Sequence, residues 1–290
     1  MIMKRKFPES ELIINADGSC FHLHLRPEQL ADRVILVSDP ASVNLVASFF
    51  DTKECEIESR EFHTITGNYK GKSITCLSYG FGSENIDIVI NELDTLANID
   101  YNTREEKEYH RTLTIVNIGI SEGVQPQIES GTIIASIKAI GFDGLLNYYA
   151  GREKVCDLQI EKCFMDHMQW NPIKGTPYVV KTDNDLLNQI AQEDIKRGYT
   201  VSCIGFYAPQ GRRLRHQLED ANLKEDLASF EFDGEYIFNI DMETASIIGL
   251  SSLLGHRAVS CCIVDNEKQS HLFSENKTLN SIVQLILDRI

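Results

Sequence analysis

What most limits how this chain can fold is a unit that recurs along it: a short apolar run rich in β-branched residues, then a loop carrying Ser, Pro or Gly, then a stretch with apolar residues at helical spacing. Residues 33–37 lead through Ser38-Asp39-Pro40 into an amphipathic stretch at 41–50, and residues 73–79 lead through Gly80-Phe81-Gly82-Ser83 into another at 85–97. Further apolar runs at 113–120, 131–139, 200–204 and 257–264 read as strands, with helices at 246–254 and 277–290. A chain that alternates in this way can hide its apolar faces only by layering helices on a sheet. The expected fold class is therefore α/β, a single-domain three-layer α/β/α arrangement. No Pro/Gly/Ser-rich linker or internal repeat interrupts it, so one domain is expected over residues 21–290, after an irregular N-terminal arm at 1–20.

Other segments are less regular. Residues 59–64, a turn signal at 67–72 and the run at 73–79 suggest a hairpin, and the charged residues 101–111 a solvated excursion. Residues 141–171 read as loop with some helix, 183–197 as a helix and 213–226 as charged and helical. Phe21-His22-Leu23-His24-Leu25 alternates apolar with polar, as a short extended arm would.

Composition removes several classes of function. Among 290 residues the formal charge is −15 and the pI about 5.0, which disfavours a nucleic-acid groove or an anionic membrane, since either calls for a basic face. Eight cysteines, at 20, 55, 76, 156, 163, 203, 261 and 262, form no C-x-x-C pair and several lie in apolar runs, so free thiols are expected rather than disulfides or a metal site. With no run of eighteen apolar residues and no signal-peptide pattern, a soluble cytoplasmic protein is expected. No cofactor motif is present.

The loops at the strand ends carry the chemistry. In layered α/β folds ligands gather at strand C-termini, where unpaired backbone N–H groups and helix dipoles favour anions. The densest such loop is Gly205-Phe206-Tyr207-Ala208-Pro209-Gln210-Gly211-Arg212. It joins aromatic faces, an amide with one donor and one acceptor edge, and a guanidinium fork, a set suited to a flat heterocycle. Each residue also has a plain structural reading: an aromatic loop packs, a first-turn carboxylate such as Glu243 caps a helix, and His22 or Arg60 decorates a surface.

Taken together the loops resemble the nucleoside phosphorylase-I family, most closely its uridine phosphorylase branch. The resemblance rests on Phe21-His22-Leu23, Ser38-Asp39-Pro40, Arg60-Glu61-Phe62, Gly80-Phe81-Gly82, Ile118-Gly119 with Gln125-Pro126, Phe206-Tyr207 with Gln210 and Arg212, and Asp241-Met242-Glu243, in order from about residue 20 to 270. It implies a mixed, partly barrel-like central sheet. It further implies that Phe206 packs on a base, that Gln210 and Arg212 hydrogen-bond a uracil edge, and that Met242 and Glu243 hold the ribose. His22 and Arg60 would reach the nucleoside and phosphate of a neighbouring subunit, which makes a homodimer with shared sites the smallest active unit. Ser38 and Ser121 fall at phosphate-binding positions, and Asp265 lies where purine-specific members place a catalytic aspartate. The implied catalytic residues are Glu243, Arg212 and Asp265, and the implied partners are a nucleoside and inorganic phosphate.

The chain departs from the family at one place. Ser42 and Asn117 stand where arginines are expected and Ile120 where a phosphate-binding threonine is, and Glu122 enters a loop that usually carries small residues. Because charge-assisted donors hold a buried dianion, three readings stay open. They are phosphorolysis of uridine to uracil and ribose 1-phosphate, hydrolysis with Glu122 or Asp265 activating water, and nucleoside binding without turnover.

Overall fold

The computed structural model describes residues 5–266 and 277–290. β1 (Arg33–Val37) is buried along all but its first residue. It leads to Asp39, whose carboxylate accepts from the Ser42 N–H at 3.0 Å and so starts α1 (Pro40–Ala47) with a proline in its first turn. β2 (Thr52–Ser59), β3 (Phe62–Tyr69) and β4 (Lys72–Ser78) run antiparallel, and β4 returns beside β1 in parallel. α2 (Ser83–Asn98) follows, then a small pair, β5 (Ile99–Asp100) and β6 (Glu105–Glu106), in the charged segment expected to be a bare excursion.

β7 (Thr114–Gly123), β8 (Ile133–Gly141), α3 (Leu158–His167), β9 (Tyr178–Lys181), α4 (Asn184–Ile190) and β10 (Lys196–Ser202) form the middle of the chain. It closes with α5 (Leu223–Ser229), β11 (Glu231–Phe232), β12 (Glu235–Asp241), α6 (Thr244–Leu253), β13 (Arg257–Val264) and α7 (Lys277–Arg289). Among the described residues no helix is long and apolar enough to cross a membrane.

Eleven strands join one mixed sheet in the order β11-β12-β10-β8-β13-β7-β1-β4-β3-β2, with β9 on β8. β12 also pairs antiparallel with the end of β7, Asn239 opposite Gly123 and Ile240 opposite Glu122, so β12, β10, β8, β13 and β7 close into a ring. This is the partly barrel-like sheet, and the seam lies beside Glu122.

β1 shows why the fold is layered. Val34 and Leu36 pack into one core with Ile86, Leu93 and Ile247 of α2 and α6, while Ile35 and Val37 pack into another with Val43, Leu187 and Ile286 of α1, α4 and α7. Successive side chains of a strand point to opposite faces, so an unbroken apolar run is what a doubly covered strand requires. α6 is buried from Thr244 to Ser251, and it fits because Gly249 has no side chain: a Cβ there would lie 2.4 Å from Leu146 Cδ1.

Four local expectations change. The helix expected at 183–197 stops at Ile190, and Lys196–Ser202 pairs with β8 instead. Of residues 213–226 only the part from Leu223 is helical, where Leu223 and Leu227 can be buried. β2 lies outside the hairpin read from the sequence, because its lysine and glutamates follow an exposed sheet edge rather than a core. The expected extended arm is a turn: Leu23 and Leu25 are buried, Cys20 N donates to Leu25 O at 2.9 Å, and His24 takes a φ of 54°. All eight cysteines are free thiols, five of them buried.

Candidate active site

The loop expected to hold a base forms where the chain leaves β10. Cys203 N donates to Asp241 O at 2.9 Å, and the backbone then turns through the 3₁₀ segment Ala208–Gln210 to Gly211, whose φ of 74° is the left-handed geometry glycine accepts most readily. That turn returns Arg212 over Phe206, with its guanidinium carbon 3.9 Å from the ring centroid. Phe206 is 45% exposed whereas Gln210 is only 3% exposed, so the amide lies deeper than the ring. Arg212 donates to Phe206 O, to Gln210 Oε1 and to Glu122 Oε2, and Lys224 donates to Glu122 Oε1. Behind this loop lies an apolar cavity of about 270 Å³ lined by Trp170, Phe142, Ile204, Pro209 and Leu223.

The residues expected to hold a sugar lie on the loop between β12 and α6. Glu243 is the N-cap residue of α6, is 8% exposed, and accepts the Gly82 N–H at 2.9 Å. Burial first, and then the nearby Asp241 charge, push the Glu243 carboxyl up to about 8. Asp241 is itself buried, which raises its carboxyl, although Ser202 donates to it at 2.6 Å and the Thr244 N–H at 3.2 Å. Met242 is half-buried between these two acids.

The positions aligned with phosphate contacts look different. Ser42 gives its hydroxyl to Asp39 at 2.7 Å, and Asn117 Nδ2 donates to Ser260 Oγ at 2.8 Å. Asn117 Oδ1 and Ser121 Oγ are buried without a protein partner. Ser38 follows β1, and its carbonyl accepts from Gly80 N at 3.0 Å. Glu122, read as a possible water-activating base, is instead held by Arg212 and Lys224. Just after β13, Asn266, which follows Asp265 in the chain, engages both side-chain polar atoms, accepting from Gly123 N at 2.8 Å and donating to Ile128 O at 2.9 Å. Asp265 is buried, and its N–H donates to Ser121 O at 2.8 Å.

His22 and Arg60 come together around the Phe21 ring. Arg60 lies in the β2–β3 turn with its guanidinium 5.3 Å from the Phe21 ring centroid, and Phe21 contacts the His22 ring at 4.6 Å. His22 is anchored to Glu92 of α2, Nδ1 to Oε1 at 2.6 Å. At 1.5 Å per helical residue, Glu92 is about 15 Å along α2 from Gly82. The structure thus brings Phe206, Gln210 and Arg212 together and places Glu243 on the Gly82 loop, while His22 and Arg60 meet on either side of Phe21. Sequence reasoning missed the Glu122–Lys224 pairing; a lone carboxylate at the end of an apolar strand was its only signal. Elsewhere among the described residues, Glu56, Glu58 and His63 stand close enough to share a metal ion, on the outer β2–β3 face.

With this geometry in hand, the comparisons agree on the class. The chain belongs to the phosphorylase superfamily, whose family description matches residues 32–284. It is an enzyme of the pentosyltransferase type. Among similar proteins, a uridine phosphorylase of Thermococcus kodakarensis is 26% identical over 278 residues, covering 94% of this chain and 86% of that protein. A DeoD-type purine nucleoside phosphorylase of Buchnera aphidicola is 22% identical over 275 residues, covering 93% and 98%. A solved Trypanosoma brucei nucleoside phosphorylase, described as showing uridine phosphorylase activity, superposes with a TM-score of 0.83 at 26% identity, covering 96% of this chain and 99% of that one.

Proposed function

We propose that this enzyme cleaves the N-glycosidic bond of a pyrimidine nucleoside, with uridine plus phosphate giving uracil and ribose 1-phosphate as the reaction. The observation that carries the reading is Arg212 stacked on Phe206 beside the buried Gln210. As the C1′–N1 bond breaks, its electron pair leaves with the base and spreads onto the carbonyl oxygens. A guanidinium and an amide N–H aimed at those oxygens stabilise that charge more than they stabilise the neutral nucleoside. Glu243, in its ionised form, accepts from ribose hydroxyls and orients a sugar ring that gains positive character. A phosphate oxygen then attacks C1′. The similar proteins include both uridine and purine phosphorylases, so the pyrimidine preference rests on the base loop.

We further infer that His22 and Arg60 serve a second copy of the chain. They share one cluster, and His22 is tied about ten residues along α2 from the Gly82 loop. A homodimer would deliver both at once, and Asp265 rather than Asn266 is the residue of that pair assigned to chemistry. The setting we assign is nucleoside salvage in the cytoplasm.

Ser42, Asn117 and Ile120 favour a second reading, in which water replaces phosphate. Neither polar side chain carries charge, each already donates within the protein, and an isoleucine cannot bind an anion. Incubation with uridine, with and without phosphate, separates the cases. Ribose 1-phosphate formed only with phosphate supports the primary reading, and free ribose in both supports the second. Cleavage of inosine but not uridine would overturn the pyrimidine assignment.

A further inference from the structure

Glu122 stands at the seam that closes the barrel part of the sheet, on β7 opposite Ile240 of β12. From there its two carboxylate oxygens take different cations, Oε2 that of Arg212 and Oε1 that of Lys224 on α5. The Glu122 and Arg212 side chains are only 14% and 15% exposed, so the pairing is not a solvated surface bridge. The N–H groups of Arg212 divide accordingly. Nη1 serves Phe206 O and Gln210 Oε1, Nη2 serves Glu122, and Nε is buried without a partner. By count, Nε–H and the second Nη2–H remain. The bond from Nη1 also fixes the Gln210 amide, because only its oxygen can accept there, leaving its NH₂ to donate.

We propose that Glu122 is a specificity-determining residue which positions Arg212, so that its remaining Nη2–H meets a carbonyl oxygen of the base and rejects an amino group there. This rests on the pyrimidine-nucleoside reading above. Two cations held against one carboxylate repel each other once it is removed, and Arg212 then keeps only its bonds within its own loop. The triad carries one net positive charge, enough to favour a departing base that gains negative charge. The substrate class is therefore a keto pyrimidine, such as uracil or thymine, rather than an amino pyrimidine such as cytosine. Lys224 acts through Glu122.

The test measures calorimetric binding of uracil and of cytosine, with kcat and KM for uridine and cytidine, in the wild type and in Glu122→Ala, Glu122→Gln and Glu122→Asp, each checked by thermal unfolding. The wild type is expected to bind uracil at least tenfold tighter than cytosine. Glu122→Ala reduces that preference below threefold and raises the uridine KM more than it lowers kcat, and Glu122→Asp recovers part of it. Glu122→Gln keeps the shape and one acceptor but loses the pairing with Lys224, and falls between the wild type and the alanine variant. Folded Glu122→Ala and Glu122→Gln proteins that keep the full wild-type preference overturn the role of Glu122 alone. A wild type that binds neither base, or prefers cytosine, overturns the pyrimidine reading and this inference with it.

Discussion

Glu243 Oε1 accepts the backbone N–H of Gly82 at 2.9 Å, a bond between residues 161 positions apart in the chain. It ties the start of α6 to the start of α2, and it holds a buried carboxylate where α2 presents unpaired N–H groups. The same bond opposes part of the upward shift that burial and Asp241 impose on the Glu243 carboxyl.

Gly82 is suited to this because its φ is 87° with ψ 163°, a conformation that L side chains rarely adopt. Gly82→Ala is expected to lower stability by roughly 1–3 kcal/mol through backbone strain. Displacing the N–H from Glu243 should also lower kcat/KM about tenfold. Denaturant melts and steady-state kinetics on uridine check both, and unchanged kinetics would separate Gly82 from the sugar site.

The raised Glu243 carboxyl sets a pH dependence with a definite sign. Its folded value, about 8, lies above the ordinary 4.5, so the folded state holds the proton more tightly. The corresponding stability is fully present below about 4.5 and is lost as pH rises toward and through about 8. Glu243→Gln should flatten that slope in urea melts taken across this range. The proposed sugar contact uses the ionised form, so kcat/KM should climb with pH and level off above about 8, and Asp241→Asn should move the rise to lower pH.

Replacing Arg212 with lysine keeps the charge but loses the planar stack on Phe206 and the division of donors among Phe206 O, Gln210 and Glu122. The expected loss in kcat/KM for uridine is roughly 10- to 100-fold, about one charge-assisted hydrogen bond, with less preference for uridine over inosine. A retained preference would show that the base is read elsewhere.

Asp265 and Asn266 are expected to separate cleanly. Asn266→Ala removes the bonds to Gly123 N and Ile128 O and should lower stability by about 1–3 kcal/mol with kcat within a few-fold of wild type. Asp265→Asn should instead lower kcat at little cost in unfolding temperature. The reverse pattern would reassign the pair.

Much of the architecture is legible in the sequence. The apolar run at β1 and the loops after β1, β4, β10 and β12 follow from local rules: period two for strands, helical spacing for helices, and turn residues between them. The segments that misled did so for identifiable reasons. β10 carries Lys196, Arg197 and Gly198 and becomes a strand only because β8 and β12 flank it, and β2 lies at a charged sheet edge. The grouping of Phe206, Gln210 and Arg212 was visible because all three lie within one turn.

By itself the sequence determined the layered α/β class, the grouping of Phe206, Gln210 and Arg212 in one loop, and the absence of arginine at positions 42 and 117, since each is a matter of residue type and local spacing. Only the tertiary structure decided that Glu122 stands with Arg212 and Lys224, that Glu243 rests on Gly82 beside a buried Asp241, and that Asn266 ties β7 to the Ile128 turn. Those contacts join residues far apart in the chain. A carboxylate's partner and protonation depend on which groups the closed sheet brings near it and how much water it excludes, and neither is written in any local stretch.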